Sequence, residues 1–101
     1  MVRHIVMFEF LEEAEGKSKR ENAEIAKVKL EALVGVVPSL LSAEVNLNSK
    51  NADPNNYDLV LITKHNDMEG LHAYATHPEH LKVGKFIGTV KKSRVCVDYE
   101  Y

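Results

Sequence analysis

The segment AYATHPEH, residues 73–80, holds a tyrosine and two histidines, with a proline between the histidines. An imidazole titrates near neutral pH and can remove a proton, and a phenol can donate a hydrogen bond to an oxygen that gains charge. Tyr74 and His80 therefore have the residue types of a donor and a base for an enolising step. The alternative is structural, with His80 capping or packing at a helix junction and Tyr74 filling the space between helix and sheet.

The same segment carries three side chains of types that can bind a metal ion. His77 and His80 are three residues apart and Glu79 lies between them, but Pro78 interrupts regular helical spacing and no cysteine motif completes a closed zinc site. Proline is well tolerated at the first position of a helix, so His77 or Thr76 is expected to cap a new helix there. The sequence therefore predicts no metal and no organic cofactor.

The elements that must position these residues follow from hydrophobic periodicity and from capping signals. SKRE at residues 18–21 matches a capping box, and apolar residues then recur at three- or four-residue steps until Gly35 and Pro38. We expect strands at 2–11, 41–48, 57–65 and 93–101, a helix at 19–34, and a second helix that starts near 66–69, breaks at Pro78 and continues to about Val90.

The order β-α-β-β-α-β, with right-handed crossovers, predicts an α+β, ferredoxin-like subunit. Its four-stranded antiparallel sheet would carry both helices on one face. The length of 101 residues fits one domain, which we place at residues 2–100.

Alternation along the strands divides the predicted sheet into two faces. The face toward the helices is expected to hold His4, Val6, Phe8, Phe10, Ala43, Val45, Leu47, Leu59, Leu61, Thr63, Val95, Val97 and Tyr99. The opposite face would have Ile5, Met7, Val60, Ile62 and Cys96 at its centre and Arg3, Glu9, Asp58, Lys64, Arg94, Asp98 and Glu100 around them. An apolar centre with a charged rim is typical of a subunit interface, so we expect a homodimer packed sheet to sheet. The alternative is a solvated surface with scattered aliphatic residues.

Composition excludes several classes of partner. The formal charge of -2, without a basic stripe, argues against nucleic acid as a partner. The sequence contains no long apolar run that would indicate a membrane span. With one cysteine and no leader-like segment, the expected location is cytoplasmic. Cys96 is expected to be a small core or interface residue, and His65 and His72 are expected at the surface.

Three segments together resemble one protein family. VRHIVMFEF, YDLVLITKHNDMEGLHAYATHPEH and VCVDYEY are similar to the stress-responsive A/B-barrel (Dabb) family of dimeric α+β barrels, and the resemblance covers essentially the whole chain. It implies a ferredoxin-like subunit and a dimer whose two sheets close into a barrel. These implications agree with the face analysis.

The resemblance also implies candidate site residues. A plant polyketide cyclase of this family performs an aldol-type condensation without metal or organic cofactor, and its motif tyrosine, motif histidine and strand histidine correspond to Tyr74, His80 and His4. Where that cyclase has a further pocket histidine this chain has Leu59, so the pocket is expected to be more apolar at this position.

The predicted cleft between helices and sheet is lined by His4, Phe8, Leu59, Leu61, Tyr74 and His80. It would bind a small, partly hydrophobic carbonyl compound, with His80 as base, Tyr74 as donor and His4 orienting. Two other interpretations stay open: a non-catalytic stress-associated dimer, and a cofactor-free monooxygenase-like member of the wider dimeric barrel superfamily.

Overall fold

The computed structural model describes residues 1–101 and contains a four-stranded antiparallel sheet, a two-stranded hairpin and three helices. The elements are β1 (Val2–Phe10), β2 (Glu13–Ala14), β3 (Lys17–Ser18), α1 (Lys19–Glu31), β4 (Ser42–Leu47), β5 (Leu59–His65), α2 (Met68–Thr76), α3 (Pro78–Val90) and β6 (Lys91–Glu100). The main sheet has the strand order β4-β5-β1-β6. The predicted ferredoxin-like arrangement is confirmed, with α2 and α3 as the two pieces of the second helix. None of the helices has the length and apolar stretch that a membrane crossing requires.

The β2–β3 hairpin was not predicted. Glu15 and Gly16 both have positive φ angles, 52° and 75°, and join the two short strands as a two-residue turn. Positive φ at both central residues defines the turn type whose twist suits a hairpin. The EG dipeptide within an acidic loop was the signal for it.

Helix α1 begins as predicted and ends earlier. Ser18 accepts from the backbone N–H of Glu21, whose side chain bonds back to the Ser18 N–H, which completes the capping box. The α-helix ends at Glu31 and not at Val34, because the next residues wind into tighter turns. These turns, which reach Gly35 at φ 85°, still bury apolar residues that continue the helical stripe.

The break between α2 and α3 is built by His77 and Pro78. His77 is extended, at φ -64° and ψ 135°, and its Nδ1 accepts the backbone N–H of Glu79 at 3.1 Å. Pro78 occupies the first helical turn, where its missing N–H costs nothing. The capping role expected for His77 is confirmed. The break sets α3 off as a separate helix that begins just before His80.

The core lies between the helices and one face of the sheet. Its buried apolar residues are Val2, Val6, Phe8, Phe10, Ala23, Ala26, Leu30, Leu33, Val37, Leu40, Val45, Leu59, Leu61, Leu71, Tyr74, Val83, Ile87 and Val90. The predicted inward positions of β1, β4 and β5 are confirmed: the apolar ones belong to this set or, as Ala43 and Leu47, pack against it, and His4 and Thr63 are buried polar residues.

The predicted orientation of the last strand was wrong. In β6, Cys96 pairs with the buried Val6 and Asp98 pairs with His4, so these residues share the helix side of the sheet. Val97 pairs with Ile5 on the opposite face and is 63% exposed. Val95 and Tyr99 share that face with Val97, while Arg94 joins Cys96 and Asp98. Alternation reveals that a strand has two faces, but a shift of one residue exchanges them.

Candidate functional site

A small cavity lies between the helices and the sheet. Its volume is about 110 Å³, and it is lined by His4, Val6, Phe8, Leu30, Leu61, His80, Gly84, Ile87, Lys91 and Arg94. Its apolar walls come from strands and helices, while two histidines and two cations supply polar groups. Of the residues predicted to line a cleft here, His4, Phe8, Leu61 and His80 do so. Leu59 and Tyr74 are buried outside it.

His80 has the geometry of a neutral base. Its Nδ1 lies 3.0 Å from the carbonyl oxygen of Ala75, which can only accept, so Nδ1 carries the proton and Nε2 keeps a free lone pair. Burial lowers the pKa of His80 below its ordinary value. A neutral imidazole with one fixed tautomer therefore borders the cavity at neutral pH.

Tyr74 packs directly against His80. The two ring centroids are 4.4 Å apart, and the ring of His65 lies 5.0 Å away on another side. Only 1% of Tyr74 is exposed, its hydroxyl has no hydrogen-bond partner, and burial raises its pKa to about 12. The phenol is thus a protonated and unused donor beside the base, sealed from the cavity by packing.

His4 stands at the sheet side of the cavity and forms a dyad with Asp98. The Nδ1 of His4 is hydrogen-bonded to Oδ1 of the carboxylate across the β1–β6 pair. Burial is the largest single influence and would raise the pKa of Asp98, but the hydrogen bond and charge of His4, together with Cys96 and Arg94, outweigh it and lower that pKa. Asp98 therefore stays ionised and fixes the tautomer and orientation of His4. Asp98 could not be placed beside His4 from the sequence, because this requires the register of β6.

Cys96 completes the group around His4. Its Sγ lies 3.5 Å from His4 Nδ1 and 3.4 Å from Asp98 Oδ1. Burial, followed by the hydrogen bond to Asp98, raises the pKa of the thiol, which disfavours a reactive thiolate. Cys96 and Asp98 also meet the same ring nitrogen, whereas a nucleophilic triad needs one partner on each nitrogen. This group is not a cysteine-based triad, but its three donor atoms of different type lie within 4.8 Å of one another.

The polar side chains of the HPEH segment each have a different interaction partner and do not converge on one point. Nδ1 of His77 caps α3, Nδ1 of His80 bonds Ala75, and Glu79 pairs with Lys82 at 2.9 Å. The segment builds a helix junction and places one histidine at the cavity.

The expectation that His65 lies at the surface was wrong. His65 is fully buried; its Nδ1 donates to the carbonyl of Ser39 at 2.8 Å and its Nε2 accepts from the hydroxyl of Thr63 at 2.9 Å. The same bonds explain why Thr63 occupies a core position. Burial lowers the pKa of His65. His72 is exposed, as expected.

One family profile, described as the Stress Responsive A/B Barrel Domain (Dabb), matches residues 2–101. Among solved structures, a dimeric protein of unknown function from Bacteroides fragilis with a ferredoxin-like fold is 30% identical. The match covers 99% of this chain and 95% of that one, with a TM-score of 0.78. A dimeric ferredoxin-like protein from Thermobifida fusca is 23% identical, over 99% of this chain and 90% of that one, with a TM-score of 0.82.

A more distant similarity is to the hydroxynitrile lyase of Passiflora edulis. It is 12% identical, covers 97% of this chain and 90% of that one, and gives a TM-score of 0.75, which establishes a shared fold. No curated protein matches the chain significantly. The family match spans nearly every residue, including both strands that hold the dyad and the helix junction that holds His80, so the chain belongs to the stress-responsive A/B-barrel (Dabb) family.

Proposed function

We propose that each subunit binds a small, partly hydrophobic carbonyl compound in the cavity and removes a proton from the carbon next to its carbonyl group. The observation that carries this proposal is His80 at the edge of the cavity, with its Nδ1 bonded to Ala75 and its Nε2 without a partner. The volume of about 110 Å³ is well below the roughly 300 Å³ at which pockets for drug-sized ligands begin, which favours a small compound.

The proton-transfer step assigns a role to each polar group. Nε2 of His80 takes the proton from carbon, and the electron pair of the broken C–H bond moves onto the carbonyl oxygen. Arg94 faces the same cavity and stabilises that oxygen, while His4, held by Asp98, orients the ligand. The unpartnered hydroxyl of Tyr74 lies beside His80 and becomes a second donor if the ligand displaces the packing around it.

The test is hydrogen–deuterium exchange of a panel of small aliphatic and aromatic ketones and aldehydes in D₂O, followed by NMR. The unmodified protein should accelerate exchange next to the carbonyl, and His80→Gln should lower the rate by about 10²-fold to 10⁴-fold, the usual contribution of a positioned base. His72→Gln, an exposed histidine on α2, is the control. An unchanged rate in His80→Gln, in a folded protein, would remove the proposed base.

A matched pair of glycines tests the cavity itself. Gly84 lines the cavity and Gly88 does not, and at each position an added Cβ would meet no atom within 4 Å. Gly84→Ala should weaken ligand binding and slow exchange, whereas Gly88→Ala should leave both unchanged. Equal behaviour of the two variants would show that ligands bind elsewhere.

A second candidate is a non-catalytic stress-associated protein, in which the dimer itself is the functional unit. The complete burial of Tyr74 favours it, because one member of the proposed donor–base pair has no access to the cavity. Absence of exchange with every carbonyl compound, together with a stable dimer, would support this candidate over the enzyme.

We also propose that this chain forms a homodimer through the sheet face opposite the helices. The structures from Bacteroides fragilis and Thermobifida fusca are described as dimeric. In this chain the open face carries the predicted Ile5, Met7, Val60 and Ile62 and, after the correction to β6, also Val95, Val97 and Tyr99.

A further inference from the structure

We propose that His4, Cys96 and Asp98 form a binding site for a divalent transition-metal ion, with zinc as the best match. The proposal does not depend on the function proposed above. Imidazole nitrogen, thiolate sulfur and carboxylate oxygen are the three donor types that zinc accepts in proteins. Here one of each lies on a single face of two paired strands.

The sheet register brings the donors together. His4 and Asp98 are direct partners across β1 and β6, and Cys96 is two residues from Asp98, so that both point to the same side. A zinc ion held tetrahedrally, with bonds of about 2.0 to 2.1 Å to nitrogen and about 2.3 Å to sulfur, separates these two donors by about 3.5 Å. The distances from Sγ are 3.5 Å to Nδ1 and 3.4 Å to Oδ1, which match two edges of such a tetrahedron. The third edge, between Nδ1 and Oδ1, is closed by a hydrogen bond and must widen as the ion enters.

The solvent exposure of the ligands and the number of donor atoms are also consistent with a bound ion. Cys96 and Asp98 are exposed, so an ion can reach them from solvent, while the buried His4 forms the floor. Three protein donors leave the fourth position open to water or to an oxygen ligand, as in catalytic zinc sites and unlike closed structural ones.

Binding replaces an existing hydrogen bond. The thiol of Cys96 loses its proton to solvent as the S–Zn bond forms, and the proton on Nδ1 of His4 must leave that nitrogen, with Nε2 as its other position. Thiolate and carboxylate then balance the two charges of the ion. Arg94 lies on the same face and lines the neighbouring cavity, so its positive charge opposes the ion and favours an anion in the fourth position.

The experiment uses the untagged, reduced protein and metal salts alone. Titration with Co²⁺ should give the visible absorption of a tetrahedral site and a sulfur-to-cobalt charge-transfer band, and Zn²⁺ should abolish both in a 1:1 ratio. Cys96→Ser should remove the charge-transfer band. Loss of a direct ligand should weaken binding by more than about 100-fold, since even groups that only orient ligands account for about 10-fold to 100-fold.

Two further variants make the test specific. Arg94→Gln should tighten metal binding by removing the opposing charge, and His77→Gln, in the other histidine-rich segment, should not change it. Circular dichroism confirms that each variant is folded. Binding without a sulfur band, or an unchanged affinity in both Cys96→Ser and Asp98→Asn, would overturn the proposed site.

Discussion

At the scale of single residues, one buried side chain near the cavity has a hydrogen-bond donor without a partner. Tyr74 has a buried hydroxyl without a partner, and a buried polar group left unpaired costs about 1 to 3 kcal/mol. A buried donor without a partner calls for a physical explanation, and the ring that carries it packs against His80.

Replacing Tyr74 by Phe should therefore separate stability from function. The free energy of unfolding should stay the same or rise, by up to about 1 to 3 kcal/mol, because the unpaired hydroxyl is gone and the ring is kept. Exchange activity, if present, should fall. Denaturant unfolding and the NMR assay measure the two effects, with Tyr101→Phe at an exposed ring as the control. A clear loss of stability would mean that the hydroxyl has a partner in solution.

His65 gives the fold a defined response to acid. Its folded-state pKa is lowered, so the unfolded chain binds the proton more readily and stability must fall as the pH drops through the unfolded value of about 6.5. The contribution is fully present above that pH and is lost progressively below it. His80 acts in the same direction.

We expect the free energy of unfolding to decrease from pH 7.5 to pH 5, and more steeply than in His65→Gln. Urea unfolding at each pH measures the slope, and His72→Gln at an exposed position serves as reference. A slope for His65→Gln equal to that of the unmodified protein would exclude His65 as a source of the acid response.

At the scale of elements, capping signals and periodicity were enough to predict the order of the four main strands and the helices and the break at Pro78, but not the short β2–β3 hairpin. The face of an edge strand was not predictable, because both faces of this sheet carry apolar residues. The apolar residues of VCVDY could therefore belong to either face. Because the face of β6 was ambiguous, the sequence did not place Asp98 and Cys96 beside His4, and the His4–Asp98 dyad was not predicted. His65 was missed for a related reason: its buried hydrogen-bond partners, Thr63 and Ser39, are identified only after the fold is known.

Replacing glycine by alanine should change the stability in opposite directions at two positions, because their backbone conformations differ. Gly35 has φ 85°, where a side chain is strained, while Gly88 lies within α3 with open space around the position of a Cβ. Gly35→Ala should destabilise the fold by about 1 to 2 kcal/mol, and Gly88→Ala should stabilise it by about 0.5 to 1 kcal/mol. Thermal melts of both variants check this, and a shift of the same sign in both would contradict the assigned backbone conformations.

At the scale of the whole molecule, the orientation of β6 strengthens the argument for a dimer. With Val95, Val97 and Tyr99 on the open face, that face is more apolar than alternation alone had indicated. Val97 is 63% exposed in the single chain, and Met7, which pairs with Val95 on the same face, is 40% exposed. A patch of this kind on a sheet is typical of a surface that is covered by another subunit.

Ile62→Glu should convert a dimer at micromolar concentration into monomers, because it places a charge at the centre of the open face. Val28→Glu, at a residue that is 68% exposed on α1, is the matched control and should remain dimeric. Sedimentation velocity measures both variants. An unmodified protein that sediments as a monomer, or a fully dimeric Ile62→Glu, would contradict the sheet-to-sheet arrangement.

The central position of β1 has a consequence for how the chain folds. β1 pairs with β5 on one side and with β6 on the other, and the His4–Asp98 contact joins residues 94 positions apart. Local hairpins and helices can form early, but this pairing requires closure of nearly the longest loop available to the chain. On a ribosome, β1, β5 and the helices emerge before β6 can close the sheet. A nascent chain would therefore present β1 as an open edge and carry His4 without its carboxylate, so a chaperone that protects strand edges would be most needed until β6 has emerged.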